Sequence, residues 1–416
     1  MVVDNKQRGA ASLIVVIFTV LILSLIIVSF VHIMLSDQQQ ATANDLSQSA
    51  YDSAQVGVED AKRAILRYQN ICDTGTVAAC NTAYAELTSA HELATSSTCN
   101  YANSKVTDGT AYNATTLEVK VQTSTSNNLD QAYTCVKITL DTFDYIGDLK
   151  KDESKLIPLI GDSSFNTIKI EWFNSADVQG LTQTVDVPGN PTSLRPLTGA
   201  NNWSGSLIAP TNYPAIMRAQ LIQYGLSGFN LSDLDSNNIN AATSKGAFNS
   251  TMFLYPSSTN TIPATGFPSK RMAGLAVIPT VPFRVVCNYN SLRDNGYACS
   301  ATIKLPVAQN AGARSAYLNL ESLYKESHYK ISMCNNICNT VAAAAGADGL
   351  IRFHAIQPEV DSTGRANNLY RRVNARVGLG DITFPYPKAE IDLTNNFCKN
   401  FQVTDNPVDY VNSCSF

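Results

Sequence analysis

Ten cysteines carry the most evident chemistry of this chain: Cys72, Cys80, Cys99, Cys135, Cys287, Cys299, Cys334, Cys338, Cys398 and Cys414. Their number is even and none precedes residue 70. In an oxidising compartment that pattern reads as a disulfide framework; reduced buried thiols are the alternative. Cys334 and Cys338 stand in C-N-N-I-C. Zinc would ask for a second close pair, whereas Cys398 and Cys414 are sixteen residues apart, which favours a disulfide. Proximity along the chain predicts sequential pairing: Cys72 with Cys80, Cys99 with Cys135, Cys287 with Cys299, Cys334 with Cys338, and Cys398 with Cys414. Cys72, Cys80 and Cys99 are close enough in sequence to exchange partners.

A second chemistry is cation binding. Asp233, Asp235 and Asn237 alternate in SDLDSNNIN like the opening of a calcium loop. The sixth-place glycine of such a loop is Asn238 here and the twelfth-place glutamate is Ser244, so a solvated Asx-rich turn competes with calcium. Ser322 and Lys325 form S-x-x-K, a nucleophile motif in some hydrolases, but no K-T-G accompanies it. The histidines, at 32, 91, 328 and 354, form no H-E-x-x-H, and neither G-x-S-x-G nor a phosphate-binding P-loop occurs. No residue is nominated as catalytic. The expectation is a protein that is not an enzyme and needs no cofactor, calcium at Asp233, Asp235 and Asn237 apart.

Composition narrows the class. At ~150 residues per domain, 416 residues suggest two or three. Thirty basic residues against 34 acidic ones leave a net charge of −4, so no nucleic-acid partner is expected. Charged residues make up 15% of the chain, below the roughly 25% of ordinary soluble domains. Asn, Ser and Thr fill the gap, as is common outside the cytoplasm. A hydrophobic content of 44% supports a folded core.

The elements that must position these residues begin at the N-terminus. Ala10 to Leu35 contains 26 residues and no charge, and ~20 suffice to span a bilayer as a helix. A cleaved secretory signal has an apolar stretch of only ~7–15 residues. Lys6 and Arg8 precede the run and would keep that end in the cytoplasm, with everything after Leu35 outside. Leu46, Ala50, Ala54, Val58, Ala61 and Ile65 continue as a single helical stripe among polar residues. No proline occurs before Pro158. One helix is therefore expected from about residue 10 to about Gln69, roughly 90 Å long.

Lys6, Gln7, Arg8 and Gly9, followed at once by the uncharged run from Ala10, resemble the N-terminus of the type IV pilin family. That resemblance implies a leader of residues 1–9, removed after Gly9 by a membrane-embedded prepilin peptidase that methylates Ala10. Lys6, Arg8, Gly9 and Ala10 are then processing residues. Ile14 stands where most pilins carry a glutamate, the fifth mature residue, whose carboxylate neutralises a neighbouring subunit's amine. In lacking it the chain resembles the K-type minor pseudopilins of type II secretion and the X-type minor pilins, which implies a place at or near a filament tip. Calcium is carried by tip pseudopilins of that kind. The implied partners are other pilin subunits through helix packing, the peptidase, the pilus assembly platform, and a host or cell-surface ligand. The implied locations are the cytoplasmic membrane and an extracellular pilus. A second reading is a membrane-anchored adhesin held by an uncleaved N-terminal span.

From Thr116 the apolar period drops to two, in LEVKV, YTCVKITL, FNTIKIEWF and further segments as far as LYRRVNARVGL. TAYAELTSAHELA reads as one short helix. FRVVC and ACSATIKL, separated by the turn-rich NYNSLRDNGY, read as a hairpin. The fold class is α+β: a long N-terminal helix packed on an antiparallel β-rich ectodomain. The expected divisions are 1–9 leader, 10–35 membrane or filament-core helix, 36–70 amphipathic continuation, 71–173 first part of the ectodomain, 174–280 a candidate insertion domain rich in Pro, Gly and Asn, and 281–416 the C-terminal β-rich part.

Overall fold

The computed structural model describes residues 8–88, 112–113, 115–116, 118–121, 130–178, 213–230, 233, 239–240, 243, 245–268, 272–273, 282–288, 290–292 and 296–378. The chain divides into two units, Met1–Gly380 and Asp381–Phe416, and everything described belongs to the first.

Helix α1 runs from Arg8–Thr74, 67 residues without a break. In its apolar half the hydroxyls of Thr19, Ser24 and Ser29 donate to the carbonyls of Val16, Leu21 and Leu25, each at 2.8 Å, so these polar atoms are absorbed by the helix itself. The helix extends five residues beyond its expected end. Tyr68 is buried in the core and the turn after it remains bonded, with the Gly75 N–H donating to the Ile71 carbonyl. Helix α2, Val77–Thr88, starts earlier than TAYAELTSAHELA suggests. The Thr76 hydroxyl, one residue ahead of it, accepts from the Ala79 N–H and acts as its N-cap.

The strands follow in chain order: β1 (Tyr112–Asn113), β2 (Glu118–Lys120), β3 (Ala132–Thr139), β4 (Tyr145–Leu149), β5 (Ser154–Pro158), β6 (Phe165–Asn174), β7 (Ile216–Tyr224), β8 (Ile239–Asn240), β9 (Lys245–Ser257), β10 (Met272–Ala273), β11 (Phe283–Val286), β12 (Tyr297–Gln309), β13 (Ala316–Leu323), β14 (Ser327–Asn335), β15 (Gly349–Ile351), β16 (Glu359–Ala366) and β17 (Leu369–Arg376). They form three sheets. The first, β1-β2-β3-β16-β17, is antiparallel and carries the docked half of α1 on one face. The second has β9, β7, β13 and β5 at its centre, with β8, β10 and β11 also paired to β9. The third has the order β12-β6-β14-β15, with β4 also paired to β14.

Alternation sets the packing of the second and third sheets. Ile168, Ile170 and Trp172 of β6 share one core with Met217, Ala219 and Leu221 of β7 and Leu318 and Leu320 of β13. These two sheets therefore form a β-sandwich, joined to the helix-bearing sheet through Leu140–Tyr145 and the Thr142–Phe353 bridge. The fold is α+β, and the sheets are antiparallel except where β10 and β11 run parallel to β9. The described strands of 174–280 are not set apart: β7 and β9 are bonded into the same sheet as β13 and β5.

One local expectation is corrected. β11 and β12 are not a hairpin, because β11 pairs with β9 and β12 pairs with β6 in the opposite sheet. Between them only a single Cys287–Cys299 bridge forms, beside the disulfide that joins those residues. Each strand is bonded into a different sheet, β11 beside β9 and β12 beside β6, so the disulfide ties the two sheets together.

Candidate functional site

The feature that sets this chain apart is α1, first bare and then clamped. Every residue from Leu13 to Asp45 is exposed. The apolar part ends at Leu35, and SDQQQATAND, residues 36–45, continues as a polar helical neck about 15 Å long. Within Leu13–Thr74 lies a stretch long and apolar enough to cross a membrane. Arg8, Gly9 and Ala10 form the first turn of α1. Ile14 lies on the bare helix, 63% exposed. Lys6 lies outside the described residues.

Docking begins at Leu46 and is close because the residues are small. Ala50, Ala54 and Ala61 are fully buried, and Gly57 and Gly364 let backbone meet sheet. A Cβ on Gly364 would fall onto the Ala50 carbonyl oxygen and the Ala54 amide nitrogen. Polar contacts fix the register. The Tyr133 hydroxyl donates to Asp60 at 2.8 Å, Asp60 also receives Arg63 at 3.0 Å, and Arg371 Nε donates to the Ser47 hydroxyl at 2.8 Å. Burial, then the hydrogen bond to the Asp60 carboxylate, pushes the Tyr133 phenol above its ordinary range.

The far end of α1 is locked more firmly. Cys72 and Cys80 join α1 to α2. Asp73, nearly buried, receives Arg314 from the sandwich at 3.2 Å. Beside it the Tyr84 hydroxyl donates to Asp141 at 2.5 Å, and the same carboxylate receives the Ala355 N–H and faces the His354 ring at 3.2 Å. Burial opposes the Asp141 charge, but the His354, Tyr84 and Ala355 contacts outweigh it and hold the carboxyl below its usual range. Asp162 is raised, by burial first and then by the Asp141 charge. Tyr68 is pushed up to about 12, again by burial first and then by Asp141. Sequence reasoning missed this Tyr84–Asp141–His354 group, since its members lie on α2, the β3–β4 connection and the loop after β15, and no local motif announces them.

The other sequence candidates resolve as follows. Cys334 and Cys338 are joined by a disulfide. Cys135 is disulfide-bonded; Cys99, Cys398 and Cys414 lie outside the described residues. The Ser322 hydroxyl donates to the Lys325 backbone carbonyl at 2.6 Å while the Lys325 ammonium sits over the Phe173 ring, so the two do not form a nucleophile and its base. The Asp233 carboxylate accepts the Asn230 N–H at 2.8 Å in a local turn; Asp235 and Asn237 lie outside the described residues. Among the described residues no three His, Cys, Asp or Glu side chains are grouped to hold a metal ion. No family model, curated protein or solved structure matches this chain.

Proposed function

We propose that this chain is a pilin-like subunit of a type IV pilus or type II secretion-like filament, a minor one placed at or near the tip, serving assembly initiation and surface adhesion. One observation carries the reading: a single helix whose first half is apolar and bare while its second half is clamped to a β-rich head. A bare apolar helix must be covered in water, by lipid before assembly and by neighbouring helices after it. The clamp keeps the head from shifting along the helix when one cover replaces the other. No catalytic group is required. Lys6, Arg8, Gly9 and Ala10 serve processing, Ile14 leaves the chain without a carboxylate for a subunit ahead of it, and the disulfides serve a head that works outside the cell.

Co-expression with a prepilin peptidase and sequencing of the mature N-terminus tests the assignment. Ala10 as a methylated first residue is the expected result; a chain still starting at Met1 or Val2 overturns it. A second reading, an adhesin held by an uncleaved span, draws on the same bare helix. Gly9→Ala separates the two: it blocks maturation of a pilin and leaves the surface display of a plain anchor unchanged.

A further inference from the structure

The outward face of the third sheet carries an ordered row of cations. Lys304 on β12 pairs in register with Thr167 of β6, Lys169 of β6 pairs with Ser332 of β14, and Lys330 of β14 pairs with Glu171 of β6. Paired residues point to the same side of a sheet, so Lys304, Lys169 and Lys330 lie on one diagonal across three adjacent strands. From strand spacing and rise, neighbours on it are roughly 8 Å apart and its ends roughly 16 Å apart. One carboxylate stands among them: Glu171 takes Lys169 at 2.8 Å and Lys330 at 2.9 Å. The Lys330 ammonium is also held over the Tyr297 ring, 5.3 Å from its centroid. Of the acids bordering this face, Asp177 faces the His328 ring at 2.7 Å and Asp148 faces Lys150 at 3.8 Å. Asp144, also near Tyr297, faces Arg376 at 3.0 Å. Three lysines against Glu171 leave two positive charges, of which the neighbouring Asp177 carboxylate offsets one, so the row stays positive on a chain whose net charge is −4. Between the lysines the face is hydroxylic: Ser300 and Thr302 are exposed, and Thr167 and Ser332 lie at the sheet surface beneath the longer side chains.

We propose that this face binds an acidic polysaccharide. Charge complementarity asks for an anionic partner whose groups are spaced along a chain, to match a row of separated point charges. A protein partner would need an apolar centre, and among the described residues none of the exposed large hydrophobics lies on β6, β12 or β14. Single-stranded nucleic acid is held by exposed aromatics and arginines that stack on bases; this row has lysines only, and Tyr297, its one aromatic, is half-buried beneath Lys330. A sugar chain with carboxylates or sulfates and many hydroxyls fits both components, salt-bridging the ammoniums and hydrogen-bonding Ser300 and Thr302. The inference does not depend on filament assembly, because a tip subunit and a plain anchored adhesin would both present this face.

Binding is measured by calorimetry on the full chain in detergent micelles, with a sulfated heparin oligosaccharide as probe and neutral dextran and single-stranded DNA as comparisons. Wild type binds the sulfated oligosaccharide and not dextran, more weakly as salt rises. Lys304→Glu weakens that binding roughly tenfold, by reversing one exposed charge contact of ordinary size. Lys304→Gln weakens it less, and neither exposed substitution changes the unfolding temperature. Equal binding of dextran overturns the proposal, as does unchanged affinity in Lys304→Glu. Tighter binding of the DNA than of the oligosaccharide overturns the choice of a polysaccharide.

Discussion

The contact between Gly364 and α1 gives the sharpest test of how the head is held. In Gly364→Ala the new methyl meets the Ala50 oxygen and the Ala54 nitrogen, with the Ser53 carbonyl carbon 2.8 Å away. All three are backbone atoms, so no rotamer change relieves the clash. Ordinary carbon contact requires the helix to back away by roughly 1 Å. Ala54, Ala61 and Ile65 are fully buried on the same side, so separation at one point opens the whole seam. Overpacking of a dense core costs about 1–3 kcal/mol, and a backbone clash belongs at the upper end. At about 2 cal/mol/K of unfolding entropy per residue, about 3 kcal/mol lowers the unfolding temperature of a unit this large by roughly 4 °C. Circular dichroism melting of the full chain in detergent micelles measures it. Gly346→Ala is the control: Gly346 has φ +81 with open space around its Cβ position, and its loss is expected to cost only about 1 kcal/mol. A Gly364→Ala melt within a degree of wild type would refute the reasoning and mean that helix and sheet have slack between them.

Four further outcomes are expected. Asp141→Asn destabilises by about 2 kcal/mol at neutral pH, the size of hydrogen bonds to a charged group. Because the folded carboxyl lies below its unfolded value, that stabilisation is complete above the unfolded pKa and is lost as pH falls through the folded one, so melts of variant and wild type converge in acid; a pH-independent difference contradicts this. Ser362→Ala is expected to stabilise by about 1 kcal/mol, since its hydroxyl is buried with no hydrogen-bond partner among the described residues; a loss of stability in the same melts would show that it has one. Cys287→Ser with Cys299→Ser should cost about 3 kcal/mol in denaturant titrations, and no change would mean that the two sheets hold without their tie. Ile14→Glu places a carboxylate in the apolar helix, which costs several kcal/mol without a partner. In immunogold labelling of filaments, wild type should mark the tips and the variant should assemble less or spread along the shaft; wild-type label along the whole shaft contradicts the tip placement.

Much of this architecture is legible locally. α1 is written in an unbroken run without proline and in the stripe from Leu46 to Ile65. β3, β6 and β12 are written largely in alternation, because each has one face in a core. β16 is not: its inward residues include Ser362 and Gly364, kept small by the helix against them, and its outward row, Glu359, Asp361, Thr363 and Arg365, is polar. A strand whose buried face is small and whose other face is charged shows no apolar period. The β11–β12 misreading has the opposite cause, since two well-patterned neighbours found better partners elsewhere. The Tyr84–Asp141–His354 group and the lysine diagonal depend on which strands become neighbours and in what register, and spacing along the chain does not encode that.

The polar neck also sets how the head responds to load. Residues 36–45 lie beyond the apolar run and before the seam with the sheet, so neither lipid nor docking shields their backbone hydrogen bonds. Ser, Asp, Asn and Thr among them are weak helix formers, and the segment is too short to sustain a helix by itself. Under tension between head and anchor these bonds yield before those of the seam. Each residue drawn from helix to extended chain lengthens the tether by roughly 1.8 Å, and the whole neck by roughly 18 Å. Were the apolar run held in lipid and the head pulled, a tug would be spread over that distance before it reached the Gly364 contact, and the neck would re-form once the pull stopped.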